Sequence, residues 1–147
     1  ENCDLSLISV QDSSFREVKF IKTKVVGVNW TAADWPNIPP SKSPINFSEC
    51  VLDYSTFIGL TLNRIKFENC KANDLEFSDA SLVGADFRGT TLTKSRFNNT
   101  NLTEANFEGA SEYNIDVTKN NLRKAKFSLP EAYALVHSIE HIFLKDG

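Results

Sequence analysis

One period governs this chain: over most of its length every fifth residue is apolar. Stepping by five from Phe47 gives Leu52, Phe57, Leu62, Phe67, Ala72, Phe77, Leu82, Phe87, Leu92, Phe97, Leu102, Phe107, Glu112, Val117, Leu122 and Phe127, and 14 of these 17 are Leu or Phe. An earlier register runs through Leu5, Val10, Phe15, Phe20, Val25 and Trp30. Two residues before each centre the side chain is mostly small, as at Cys50, Ser55, Cys70, Ala80, Ala85, Thr90, Ser95, Thr100, Ala105, Ala110 and Ala125. The other three positions of each pentad are mostly polar. A helix repeats every 3.6 residues and a strand every 2, so neither holds a period of five. The chain must therefore turn a corner in every pentad. Four pentads close one turn of about 20 residues, and successive turns stack about 4.8 Å apart with their amides paired above and below.

Composition supports this reading. Ten of the 11 Phe fall on the ruler, and from Phe47 onward Phe alternates with Leu, which places Phe on two opposite faces and Leu on the other two. A ring facing a smaller aliphatic group keeps the volume of each layer constant, as close packing requires. Cys50 and Cys70 lie one turn apart on one face and read as small buried hydrophobes whose parallel Cα–Cβ vectors disfavour a disulfide.

Over 1–32 and 45–127 these features resemble the pentapeptide-repeat family, whose pattern is a small residue, Asp or Asn, Leu or Phe, then two polar residues. That resemblance implies an all-β fold, a right-handed quadrilateral β-helix with about 20 residues per turn, over residues 1–127.

The ruler breaks once, at residues 33–44, which hold four of the five prolines. Proline removes the amide donors a ladder needs, so this stretch is expected to loop out. Asp34, Trp35, Pro36, Asn37 and Lys42 are its candidate partner-binding residues, with Trp35 either packed back or displayed. Around Glu112 and Val117 the pattern weakens, as terminal repeats commonly do. From Ser128 the period becomes helical: Ser128 and Glu131 form a capping-box pair around Pro130. Leu129, Ala132, Leu135, Val136, Ile139, Ile142 and Phe143 then supply the apolar face of a C-terminal helix, 128–147, that caps the coil or joins two copies. At the other end Cys3-Asp4-Leu5 starts in phase with no cap, so further coils or a partner are expected to cover that edge.

Net charge is -3, from 16 basic and 19 acidic residues. That balance argues against direct nucleic-acid binding. No apolar run reaches the length of a membrane span, and three cysteines suit a reducing compartment, so a cytoplasmic location is expected. His137, Glu140 and His141 match the H-x-x-E-H pattern of inverted zinc proteases, but only six residues follow to supply a third ligand. They read as surface histidines. No phosphate loop or nucleophile elbow occurs. Asp and Asn recur before Phe and Leu because corner geometry favours side chains that bond nearby backbone. No cofactor, metal or catalytic site is expected, and the chain reads as non-enzymatic.

The expected role is a protein-interaction scaffold. The alternative comes from the resemblance to quinolone-resistance and microcin-immunity members of the family. It is a homodimer, joined through the C-terminal helix, that resembles duplex DNA, binds DNA gyrase or topoisomerase IV and protects it from quinolones or toxins. Against a DNA mimic, Lys66, Arg88, Arg96, Lys119, Arg123, Lys124 and Lys126 are scattered among the acids Glu68, Glu76, Asp79, Asp86, Glu104 and Glu108.

Overall fold

Each pentad turns its corner two residues after the central apolar side chain. In the computed structural model, which describes residues 1–129, 131–133 and 135, every fifth residue from Asn2 to Gly27 and again from Glu49 to Gly109 has a left-handed φ of 48–73°. Five of these corners are Gly, which takes that φ without strain. The others are mostly Asn, Asp, Glu or Lys, with Leu7 and Tyr54 as apolar exceptions.

The sides between corners are too short for long strands. β1 (Val18–Ile21), β2 (Ile45–Ser48) and β3 (Lys66–Glu68) form one parallel sheet, and β4 (Asn106–Phe107) and β5 (Lys126–Phe127) another. On the other sides the turns meet through single parallel bridges such as Val51↔Lys71, Thr56↔Glu76 and Thr61↔Ser81. The offset is 20 residues throughout, apart from the junction described below. The result is a four-sided β-helix.

Its axis is filled as the alternation predicts. From Phe47 to Phe107 every Leu and Phe of the ruler is 3% exposed or less, while Leu122 and Phe127 are half-buried. Phe47, Phe67, Phe87, Phe107 and Phe127 stack face to face with centroids 4.8–5.4 Å apart. Phe57, Phe77 and Phe97 form the opposite stack at 5.0–5.5 Å. The two stacks meet edge to face at 5.6–6.3 Å, the arrangement that ring quadrupoles favour. Phe20 extends the first stack and Trp30 the second. Trp30 marks the first turn of a 3-10 helix, Trp30–Ala32, capped by the Asn29 carboxamide.

Cys50 and Cys70 are buried and unbridged. Where the inward small residue is Ser or Thr, it ties one turn to the next: Thr90 Oγ1 accepts from Cys70 N and donates to the Phe67 carbonyl, and Ser95 and Thr100 donate likewise to Ala72 and Phe77.

Two features differ from the sequence reading. The excursion is shorter than 33–44. Asp34 still pairs with Ser14 at an offset of 20, whereas Val18 pairs with Ile45 at 27, so the insertion amounts to seven residues. Asp34 and Trp35 belong to the coil because Trp35 occupies the central position above Phe15, continuing the ruler from Trp30. Near the C-terminal end Glu112 is exposed, and Tyr113 takes the buried place beside Phe107 and Phe127. A carboxylate in that dry layer would lose its hydration without a partner.

Candidate interaction surfaces

With the axis filled by rings, the polar columns face outward, and most of their side chains have local duties. Asp86, Asn101, Asn106 and Asp116 each accept the backbone N–H two residues on, at 2.9–3.2 Å. This is the corner role expected of residues that precede the central Leu or Phe. Asn63, Asn73 and Asn46 accept from the next turn instead, each from the residue 20 further on.

Charged columns are mixed. Arg88 grips Asp86 through two guanidinium nitrogens at 2.7–3.0 Å and lies 3.8 Å from Glu68. Burial pushes the Asp86 carboxyl up, but bonds from the Arg88 side chain and amide outweigh it and hold Asp86 below the usual carboxylate range. Glu76 is held low in the same way, by Ser78 and by Arg96, whose Nε lies 2.7 Å away on the next turn. These pairs interleave both signs on two faces of the coil.

The protruding loop is seated on the coil. Trp35 is half-buried, stacks on Phe15 at 5.6 Å and donates its indole N–H to the Trp30 carbonyl at 2.9 Å. Pro44 is buried and accepts from Val18 N. Between them, Arg64 Nε donates to the Pro40 carbonyl at 2.9 Å, and Lys42 pairs with Glu17 at 2.6 Å. Of the five candidate loop residues, Asp34 and Trp35 therefore sit in the coil, while Pro36, Asn37 and Lys42 lie on the excursion. An open groove of about 490 Å³ with a mixed lining separates the loop from the coil, with Trp35, Pro36, Ile38 and Leu60 beside Asn37, Lys42, Thr61 and Asn63.

At the C-terminal end Ala132 N donates to the Ser128 carbonyl and Leu135 N to the Ala132 carbonyl, so the chain turns helically. Ser128 Oγ accepts from Gly109 N on the coil rather than from the Glu131 amide. Leu135 is buried, while Leu129 and Tyr133 are 74% and 70% exposed. Val136, Ile139, Ile142 and Phe143, and with them His137, Glu140 and His141, lie outside the described residues. Tyr113, absent from the sequence candidates because it stands one place off the ruler, has a buried hydroxyl with no partner among the described residues. Burial, with Glu131 nearby, pushes its hydroxyl up to about 12.

Among the described residues no group of three or more His, Cys, Asp or Glu is placed to hold a metal, and no helix is long and apolar enough to cross a membrane.

Comparison with known proteins agrees with this geometry. Residues 41–107 match the family model described as a pentapeptide repeat region. No curated protein matches the sequence. Among solved structures, full-length QnrB1, a plasmid-mediated fluoroquinolone resistance protein, is similar with a TM-score of 0.79 at 18% identity, over 93% of this chain and 66% of that one. Two trypsin-treated QnrB1 variants give TM-scores of 0.78 and 0.79 at 17% identity, over 94% of this chain and 66% and 64% of theirs. The chain thus spans just under two thirds of the length of these relatives, and at such identity the likeness is one of fold.

Proposed function

This chain is a pentapeptide-repeat protein, and on that premise we propose that it is a non-enzymatic scaffold that binds another protein through its outer surface. The observation that carries the proposal is the solid axis. Two stacks of rings leave the interior to packing, and outward side chains such as Asp86, Arg88, Glu76 and Arg96 are engaged in turn bonds and ion pairs. What varies from this regular frame is the loop and the C-terminal end, and loops on a rigid scaffold are where binding residues collect. The partner surface is accordingly the excursion with the groove beneath it. After the coil the chain turns helically from Ser128, and exposed Leu129 and Tyr133 contribute to a homodimer joined there. The unbridged cysteines suit the cytoplasm.

A second reading draws on the fold likeness to QnrB1: the partner is a type II topoisomerase that the protein shields from quinolones or toxins. The interleaved charges weigh against a DNA mimic and favour contact through the loop. One experiment separates the two. Gyrase supercoiling is measured with a fluoroquinolone present, using the parent and a variant lacking residues 37–43, with light scattering to give the mass of each. Relief of inhibition that disappears with the loop assigns topoisomerase protection. No relief from a folded protein rejects that reading and leaves a scaffold for a different partner, and a monomeric mass rejects the dimer.

A further inference from the structure

Beside the loop, on the side away from the first groove, runs a second groove of about 520 Å³ along the coil axis. One wall is the column Asn46, Lys66, Asp86, Asn106 and Lys126, in which each residue is paired in register with the next. The other wall is the corner column Arg64, Gly84 and Glu104. The Arg64 side chain lies against Gly84, its Cγ 3.5 Å from where a Cβ would stand. Ser41, on the loop, lines the groove as well.

Its charges are unevenly satisfied. Arg88 is occupied by Asp86 and Glu68, but among the described residues Lys66 and Lys126 make no ion pair, and Arg64 bonds only a carbonyl. On a chain of net charge -3 this is a local excess of positive charge. It is arranged at two points, with Arg64 and Lys66 together and Lys126 three layers on, about 14 Å away at a layer spacing of about 4.8 Å. Asp86 and Glu104 lie between.

We propose that this groove binds an extended polypeptide segment bearing two carboxylates about four residues apart, running along the coil axis. An extended chain advances about 3.3 Å per residue, so carboxylates at that spacing meet both cationic points. Asn106 lies between them and offers its carboxamide to a peptide backbone. A nucleic-acid strand fits worse, because it places a negative charge about every 3.4 Å and would set phosphates against Asp86 and Glu104. The assignment rests on the reading of the coil as a protein scaffold and names the chemistry of a surface distinct from the loop groove.

The test uses the full chain at low ionic strength with two fluorescein-labelled peptides, Glu-Ser-Ser-Ser-Glu and Lys-Ser-Ser-Ser-Lys, read by anisotropy. The parent binds the acidic peptide. The double variant Lys66→Glu with Lys126→Glu weakens that binding about tenfold, since two exposed attractions become repulsions, and gains binding of the basic peptide. Lys94→Glu, at the opposite corner of the coil, leaves both unchanged. Tryptophan fluorescence verifies that each variant is folded. Failure of the parent to bind the acidic peptide overturns the assignment, as does equal weakening by Lys94→Glu. Tighter binding of a short DNA duplex at the same lysines overturns it in favour of a phosphate site. If loop-dependent relief of gyrase inhibition persists while peptide binding fails, the groove is refuted while protein binding through the loop stands.

Discussion

Excision of residues 37–43 should leave the coil intact, because it removes the seven residues by which the offset of 27 exceeds 20. Ile45 would then follow in phase with Val18, as Lys66 follows Asn46. The excised residues make three polar ties to the coil. The Lys42–Glu17 pair, with side chains 57% and 59% exposed, contributes at most about 1 kcal/mol. The Arg64 bond to the Pro40 carbonyl and the Ser43 Oγ bond to the Ile45 carbonyl contribute about 1 kcal/mol each. Shortening the connection recovers about 1 kcal/mol of closure entropy, so the net loss is about 2 kcal/mol or less. Excision of 33–44, the excursion suggested by the broken ruler, behaves differently. It leaves an offset of 15 residues, three sides where the coil has four, and removes the Trp35–Phe15 stack, the indole bond and the Asp34–Ser13 amide bond. That variant should lose the first turns of the coil. Urea unfolding followed by tryptophan fluorescence is the natural assay, since both tryptophans sit at this junction. The reasoning is refuted if the seven-residue excision costs more than about 3 kcal/mol, beyond all the ties counted together. It is equally refuted if the twelve-residue excision unfolds like the parent.

Three further outcomes follow from the packing. Phe87→Ala, at a site fully buried between Phe67 and Phe107, should cost about 3–5 kcal/mol in the same assay, and Phe87→Leu clearly less. Thr90→Val keeps the shape but strands the Cys70 amide and the Phe67 carbonyl, so a loss of about 1–3 kcal/mol is expected, largely restored by Thr90→Ser. Replacing Arg88 with Met should raise the Asp86 carboxyl in an NMR titration, because the guanidinium holds it low. Since the folded value lies below the unfolded one, this pair stabilises above the unfolded value near 3.9 and is lost as pH falls through the folded one. The Arg88 variant should therefore show a shallower loss of stability on acidification.

Much of this architecture was legible because it rests on a local rule repeated many times. A five-residue period admits neither helix nor ordinary strand. The Phe and Leu alternation settled which side chains share a face, and the Asp or Asn that recurs before some centres announced the corner bonds at Asp86 and Asn106. Where the rule lapsed, sequence alone could not locate the boundary. Trp35 looked like part of a proline-rich insertion, yet its ring stacks on Phe15, a contact made between residues 20 apart. Tyr113 sat off the ruler and went unnoticed, because its burial depends on the rings of Phe107 and Phe127. The groove beside the loop was likewise invisible, since Lys66 and Lys126 stand 60 residues apart in sequence and meet only through the stacking of turns. The period determined the kind of coil and what fills it, because each pentad carries its own instruction. The place where the excursion rejoins, the residue that closes a faltering layer and the charges that face one another were decided by tertiary structure, because each depends on which turn lies above which.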